Sequence, residues 1–454
     1  MLNRTARFFV GVCERWMPDP FLFCILLTAA TYLLALGLTP AGPAALAQHW
    51  FDGLWTILPF AMQMILILLT GYALASSRPV RRLLERIASV PQTQSSAIVI
   101  LTLASALAAL LNWGFALVVS ALLAREMGRR VPNCDFGFLV AGAYSGFVIW
   151  HSGLSGSIPL VSATAGSELN FIAEHTGPAV TPLAQTIGLP LNLALVAGTL
   201  VGLPLMFWLM QPRGKQVRTA DPALLAPSEA GLAEKETEAE GDADKPRTPA
   251  AKLERSRAVL LLLVLLGAAY LARHFYLRGF DLNLNVVILL FLLLGMVLHA
   301  RPEAYVRAFN HAARVAGPLA LQYPLYGGIM GMMADSGLGA QISQWFVSIS
   351  TATTFPVFCF WSAALVNLFV PSGGGQWAVQ GPIMIPAGLE LGVRPEVTAM
   401  AVAFGDQNTN MLQPFWALPV LSIARLSIRD IMGYCVMTFL LSATLSTLVL
   451  WLLV

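Results

Sequence analysis

Four polar, glycine-rich segments interrupt long apolar runs in this chain: Asn112 to Phe115, His151 to Ser157, Pro371 to Gln376 and Gly405 to Asn410. Each would free backbone N–H and C=O groups from helical pairing where no bulk water could satisfy them, a cost tolerated mainly where the backbone lines a cavity or holds a ligand. Helix ends at such interruptions present free N–H groups and a partial positive charge, which suit a carboxylate. The first two segments supply Asn112, Trp113, Gly114, His151, Ser152, Gly153, Ser155, Gly156 and Ser157 as candidate substrate contacts. The last two supply Ser372, Gly373, Gly374, Gly375, Gln376, Gln407, Asn408, Thr409 and Asn410. None of the four contains Lys or Arg. A small monoanion held by dipoles, amides and hydroxyls is therefore expected, in preference to a di- or tricarboxylate that would want a cationic partner.

Asp406 is the only acidic residue well inside a predicted span. A carboxylate at that depth costs several kcal/mol unless paired, so it is the first candidate for ion coupling, with Asn112 and Asn410 as neutral amides sharing the site. Either Na+ or H+ would serve, and no resident metal or other cofactor is expected. The plainer alternative is that Asp406 caps a half-helix that follows it at Gln407 to Asn410. His151 sits in the matching interruption, where it could bond substrate, titrate near neutral pH or simply pack as a neutral ring. Trp113, Trp150, Trp377 and Trp416 flank the four interruptions and could wall a pocket for a short alkyl tail, or only pack. No enzyme is expected: residues 153–157 read GLSGS, not a GxSxG elbow, and no metal-ligand spacing occurs. An anion channel or uniporter is harder to exclude, because channels also use hairpins that enter and leave by one face.

The elements that would position these residues are membrane helices. Hydrophobic residues make up 57% of the chain and charged ones 11%, against roughly 25% charged in an ordinary soluble domain, and the mean hydropathy is +0.70. The apolar runs approach the roughly 20 residues a helix needs to span a bilayer, not the alternating segments of an outer-membrane barrel, so an inner or plasma membrane is implied. Cys13, Cys24, Cys134, Cys359 and Cys435 are scattered and read as small apolar side chains. Nothing in the charge pattern calls for nucleic acid.

Spans are expected near 21–38, 54–75, 137–163 (broken at His151 to Pro159), 185–210, 258–272, 283–299, 316–334, 396–424 (broken) and 431–454. Residues 97–124 and 354–389 read as re-entrant hairpins, the first because arms of about 13 residues are too short to cross. Surface helices are expected at 4–16, 78–90 and 337–350. Residues 213–252, rich in Ala, Glu, Lys and Pro, read as a disordered linker. With the N-terminus and linker inside, 24 of the 27 Lys and Arg face the cytoplasm.

The layout repeats. At an offset of 259, Pro59, Ala61, Gln63, Ser77 and Ser89 meet Pro318, Ala320, Gln322, Ser336 and Ser348; at 255, Asn112 and Pro159 meet Asn367 and Pro414. An unpaired span between the copies inverts the second, the architecture that gives secondary transporters two symmetry-related states. The expected fold is thus an all-α polytopic membrane protein with an inverted repeat, about nine transmembrane helices, two re-entrant hairpins and two broken helices. Its parts are a first repeat (1–212), the linker (213–252), an unpaired helix (253–280) and a second, inverted repeat (281–454).

At the same residues the chain resembles the short-chain fatty acid transporter family of bacterial permeases. The segments are NWGFALVVSALLARE (112–126), VPNCDFGFLVAGAYSGFVIWHSGLSGSIPL (131–160), PSGGGQWAVQGP (371–382), GDQNTNMLQPFWALP (405–419) and RDIMGYC (429–435). The resemblance implies import of butyrate, acetoacetate and similar monocarboxylates at a bacterial inner membrane, by an elevator-type movement in a homodimer. Transport of another small organic anion is the alternative. The chain departs from the family pattern at Asn408, where an aromatic is usual, and at Arg425, where glycine is usual.

Overall fold

The computed structural model describes residues 2–164, 167, 169–177, 180–219, 248–254, 256–279, 284–313 and 316–454, and all regular secondary structure among them is helical. The first half contains α1 (Leu2–Trp16), α2 (Pro20–Leu38), α3 (Pro43–Thr56), α4 (Leu58–Ser76), α5 (Arg78–Ala88), α6 (Gln94–Leu111), α7 (Trp113–Arg130), α8 (Phe136–Ser145), α9 (Ser157–Ser162), α10 (Phe171–Thr176) and α11 (Pro190–Met210). After the linker come α12 (Arg257–Arg278), α13 (Leu284–His299), α14 (Pro302–Ala313), α15 (Gly317–Asp335), α16 (Leu338–Ser348), α17 (Phe355–Asn367), α18 (Gly373–Glu390), α19 (Pro395–Thr409), α20 (Leu418–Ala424) and α21 (Ile428–Leu452).

Helix lengths recur at the offsets seen in the sequence. α4 and α15 are both 19 residues long and begin 259 positions apart. α7 and α18 are both 18 residues long, and α5 and α16 both 11, each pair beginning 260 apart. The starts of α7 and α18 are built alike. Asn112 Oδ1 accepts a hydrogen bond from Phe115 N at 3.0 Å, and Ser372 Oγ accepts one from Gly375 N at 3.3 Å, so each cap satisfies an N–H that the first helical turn leaves unpaired.

The structure corrects the expected layout in four places. The arms around Asn112 are 18 residues each, and α6 belongs to the six helical stretches among the described residues that are long and apolar enough to cross a membrane. Both arms run past their apolar stretch because Gln94 to Ser96 in one, and Arg125, Glu126, Arg129 and Arg130 in the other, are polar yet helical. Two amphipathic helices, α3 and α14, went unforeseen, although Pro43 and Pro302 open both. The break in the second half begins at Asn410: Gly405 to Thr409 are still helical, and the chain leaves helical geometry only between α19 and α20. Finally, of the linker 213–252, residues 220–247 lie outside the described residues, whereas its first residues are anchored. Arg218 N donates to Asp135 Oδ2 at 3.0 Å, and Arg218 pairs with Glu14.

Two hydrophobic cores organise the molecule. One joins residues of α1 to α8 to α15 and the 411–437 region, and the other joins α17, α18 and α19 to Ile158, Phe171 and the start of α11. α19 lies against α17 through Gly405, where a Cβ would run into Phe360 O. Glycine there is what lets the two backbones meet.

Candidate functional site

The 3-10 turn Gly146–Ser152 follows α8 and delivers His151 to the side of α19. His151 N donates to Gln407 Oε1 at 3.1 Å, and the imidazole Nδ1 lies 3.2 Å from Ala403 O and 3.5 Å from Asp406 Oδ1. Gln407 Nε2 also donates to Ser152 Oγ at 3.3 Å. His151, Asp406, Gln407, Asn408 and Asn410 are all fully buried. The interruption in the first half thus closes directly on the helix that precedes the break in the second.

Each half also folds its tip onto a break. At tip 1, Trp113 N donates to Ser155 Oγ at 2.9 Å and Leu154 N to Leu110 O at 2.8 Å, which fixes Asn112, Trp113 and Gly114 against Gly153 to Gly156. At tip 2, Asn367 Nδ2 is within 2.7 Å of Asp406 O, 2.9 Å of Thr409 Oγ1 and 2.9 Å of Asn410 Oδ1. Gln376 Nε2 donates to Ala363 O at 2.9 Å and to Gln380 Oε1 at 2.8 Å. Gly373 reaches across to the first half: a Cβ there would stand 2.6 Å from His151 Nε2 and 2.9 Å from the Trp150 ring.

Three of the four flanking tryptophans converge. Trp113 is 5.0 Å from Trp416 and 6.2 Å from Trp150 between ring centroids, Trp150 is 5.7 Å from Trp416, and Phe60 of α4 closes the group at 6.0 Å from Trp416. Trp377 does not join them; its Nε1 donates to Leu169 O at 2.9 Å and its ring packs on Phe171. Of the proposed ion-coupling amides, Asn410 shares Asn367 with the Asp406 backbone, whereas Asn112 caps α7 in tip 1. Ser157 begins α9 and is half-buried, Ser372 caps α18, and Gly374 has open space where a Cβ would stand.

Several polar atoms here have no hydrogen-bond partner within the protein, namely both polar atoms of the Asn408 amide, His151 Nε2, Asn367 Oδ1 and Gln413 Oε1, and the Asp406 carboxylate has only His151 Nδ1 at 3.5 Å and the Asn410 amide beside it. A buried polar atom without a partner costs about 1–3 kcal/mol, so such a concentration calls for water, an ion or a ligand to supply the missing partners. The oxygens in this set are the donors a hard cation such as Na+ takes, and the Asp406 carboxylate could equally take a proton. Beside the tips, a cleft of about 410 Å³ runs from Asp335 past Thr56, Phe60 and Met330 to Ser372 and Gly375, so tip 2 separates it from His151.

Asn367, Gln413, Tyr144 and Asn192 belong to the site although residue type alone did not select them. Tyr144 Oη donates to Asn410 O at 2.6 Å, Gln413 Nε2 to Asn410 Oδ1 at 3.4 Å, and Asn192 Nδ2 to Ser152 O at 3.0 Å. Asn367 carried one signal, its repeat match to Asn112.

A family model described as short chain fatty acid transporter matches residues 1–453. A protein of Escherichia coli provisionally named short-chain fatty acid transporter is 42% identical over 445 residues, 98% of each chain, and one of Haemophilus influenzae with the same provisional name is 39% identical over 98% of each. Among solved structures, the YdaH transporter of Alcanivorax borkumensis aligns over 96% of this chain and 98% of its own at 17% identity and a TM-score of 0.46. MtrF of Neisseria gonorrhoeae aligns over 97% of each at 16% and 0.41.

Proposed function

The chain belongs to the short-chain fatty acid transporter family, and on that footing we propose that it is a cation-coupled secondary transporter importing butyrate, acetoacetate and similar short monocarboxylates. The observation that carries the reading is the buried meeting of His151, Asp406 and tip 2, rich in unpaired polar atoms and free of Lys and Arg. Neutral donors suit one carboxylate, and the aromatic group of Trp113, Trp150, Trp416 and Phe60 suits a short alkyl tail.

The carboxylate is held between tip 2 and the 151–157 interruption, with His151 Nε2 and the neutral amides and hydroxyls as its neighbours. Asp406 carries the coupling cation, Na+ or H+, and Asn367 and Asn410 hold the backbone around it. The inverted repeat, with a re-entrant hairpin at Ser372 and the longer helix pair that meets at Asn112, makes the two tips approach the site from opposite faces of a bacterial inner membrane. α5 and α16 act as arms between a moving core and a scaffold, in a homodimer that works as an elevator.

Uptake of labelled butyrate into proteoliposomes, with proton and sodium gradients imposed separately, tests this reading. Accumulation driven by one of the two cations is expected. Equilibration that neither gradient drives would make the protein a uniporter or channel, and no uptake of any short monocarboxylate would overturn the substrate class.

A further inference from the structure

α5 carries Arg78, Arg82 and Arg86 at successive helical turns, all on its exposed side, while Leu84 and Ala88 are buried on the opposite side. Leu83, 55% exposed, lies on the flank of the helix, and Val90, 65% exposed, follows its C-terminal end. Glu85, the one acidic residue of the helix, is engaged by Arg81 at 3.5 Å and by Arg130 of α7 at 3.8 Å. The helix joins two stretches that are long and apolar enough to cross a membrane, ending at Ser76 and beginning at Gln94, and therefore lies where the chain leaves the bilayer and returns. Its counterpart in the second half, α16, has the same length and no Lys or Arg at all. The arginines are thus not needed to build such an arm, since α16 is built without them.

We propose that the exposed face of α5 is a docking surface for anionic phospholipid headgroups. Guanidinium groups pair with phosphate through paired N–H donors, and Leu83 and Val90 supply the apolar contact that a membrane surface offers and a soluble anion does not. This surface does not depend on which solute the protein carries.

The test is the lipid retained by the purified full-length protein in detergent, measured by mass spectrometry after exchange against equal phosphatidylglycerol and phosphatidylcholine. Preferential retention of phosphatidylglycerol is expected. The Arg82→Gln/Arg86→Gln double variant should lose this preference by roughly thirtyfold at low salt, about fivefold for each basic residue near an anionic surface. Arg82→Lys/Arg86→Lys should keep most of it, and Leu83→Ser should weaken it. Unchanged thermal melting and elution volume show that the variants remain folded. Equal retention of the two lipids by the wild type, or the same preference in the Gln variant, would overturn the proposal, as would displacement of the lipid by millimolar inorganic phosphate.

Discussion

His151 Nδ1 lies 3.5 Å from Asp406 Oδ1, with both side chains fully buried. The same nitrogen is 3.2 Å from Ala403 O, and a carbonyl oxygen only accepts, so Nδ1 carries a hydrogen. The other ring nitrogen, Nε2, faces Gly373. A proton gained there would turn Nε2 into a donor aimed at tip 2, balanced by the Asp406 carboxylate on the far side of the ring. The interruption that brings the histidine and the helix that brings the acid come from different halves of the chain, so neither half holds the pair alone.

Gly373 tests how closely tip 2 must seat. Gly373→Ala would put a methyl 2.6 Å from His151 Nε2 and should lower butyrate uptake by roughly a hundredfold, the scale of a displacement of about 1 Å at a site. Gly374→Ala meets nothing within 4 Å and should transport normally. Equal activity in the two variants would remove tip 2 from the site.

Asp406→Asn keeps the shape of the side chain and removes its charge. The expected outcome in proteoliposomes is loss of gradient-driven accumulation with butyrate counterflow retained. Loss of both would assign Asp406 to substrate binding instead of coupling.

Asn367→Ala removes the amide that reaches Asp406 O, Thr409 Oγ1 and Asn410 Oδ1. Taking one donor from each of these buried acceptors, of which Asn410 Oδ1 keeps Gln413 Nε2, should cost about 1–3 kcal/mol, read as a lowered midpoint of thermal unfolding in detergent.

Asp135 caps α8 by accepting from Phe138 N at 2.9 Å and also accepts from Arg218 N at 3.0 Å. Asp135→Ala should cost about 1 kcal/mol as a lost cap and free the start of the linker. Faster limited proteolysis at Arg213 or Arg218 than in the wild type is the readout.

Arg425 adopts φ +57°, a left-handed conformation that costs a side-chain-bearing residue roughly 1–2 kcal/mol. Arg425→Gly should raise the unfolding midpoint. Glycine carries no Cβ and adopts this left-handed backbone angle without that cost.

Much of this was legible because glycine and polar residues inside apolar runs are costly, and the cost points to their use. Asn112, His151 and Ser372 stood out on those grounds, and the structure puts them at a helix cap, against α19 and at the second cap. The extent of the second interruption was not legible. Gly405 looked like a helix breaker, but it serves the close approach of Phe360 O within a continuous helix, a relation between segments 45 positions apart in the sequence. Asn367 and Tyr144 escaped for a similar reason: each sits singly near the end of an apolar helix, and only folding brings both to Asn410. α3 and α14 were missed because an amphipathic helix beside a span blurs into it when hydropathy is averaged.

The two tips differ in length. One residue, Asn112, separates α6 from α7, whereas five, Leu368 to Ser372, separate α17 from α18. Bending the first tip means breaking helical hydrogen bonds at once, but the second can change its course within its own turn before either helix is disturbed. Room to bend is therefore divided unequally between the two tips: the first is a stop and the second a spring.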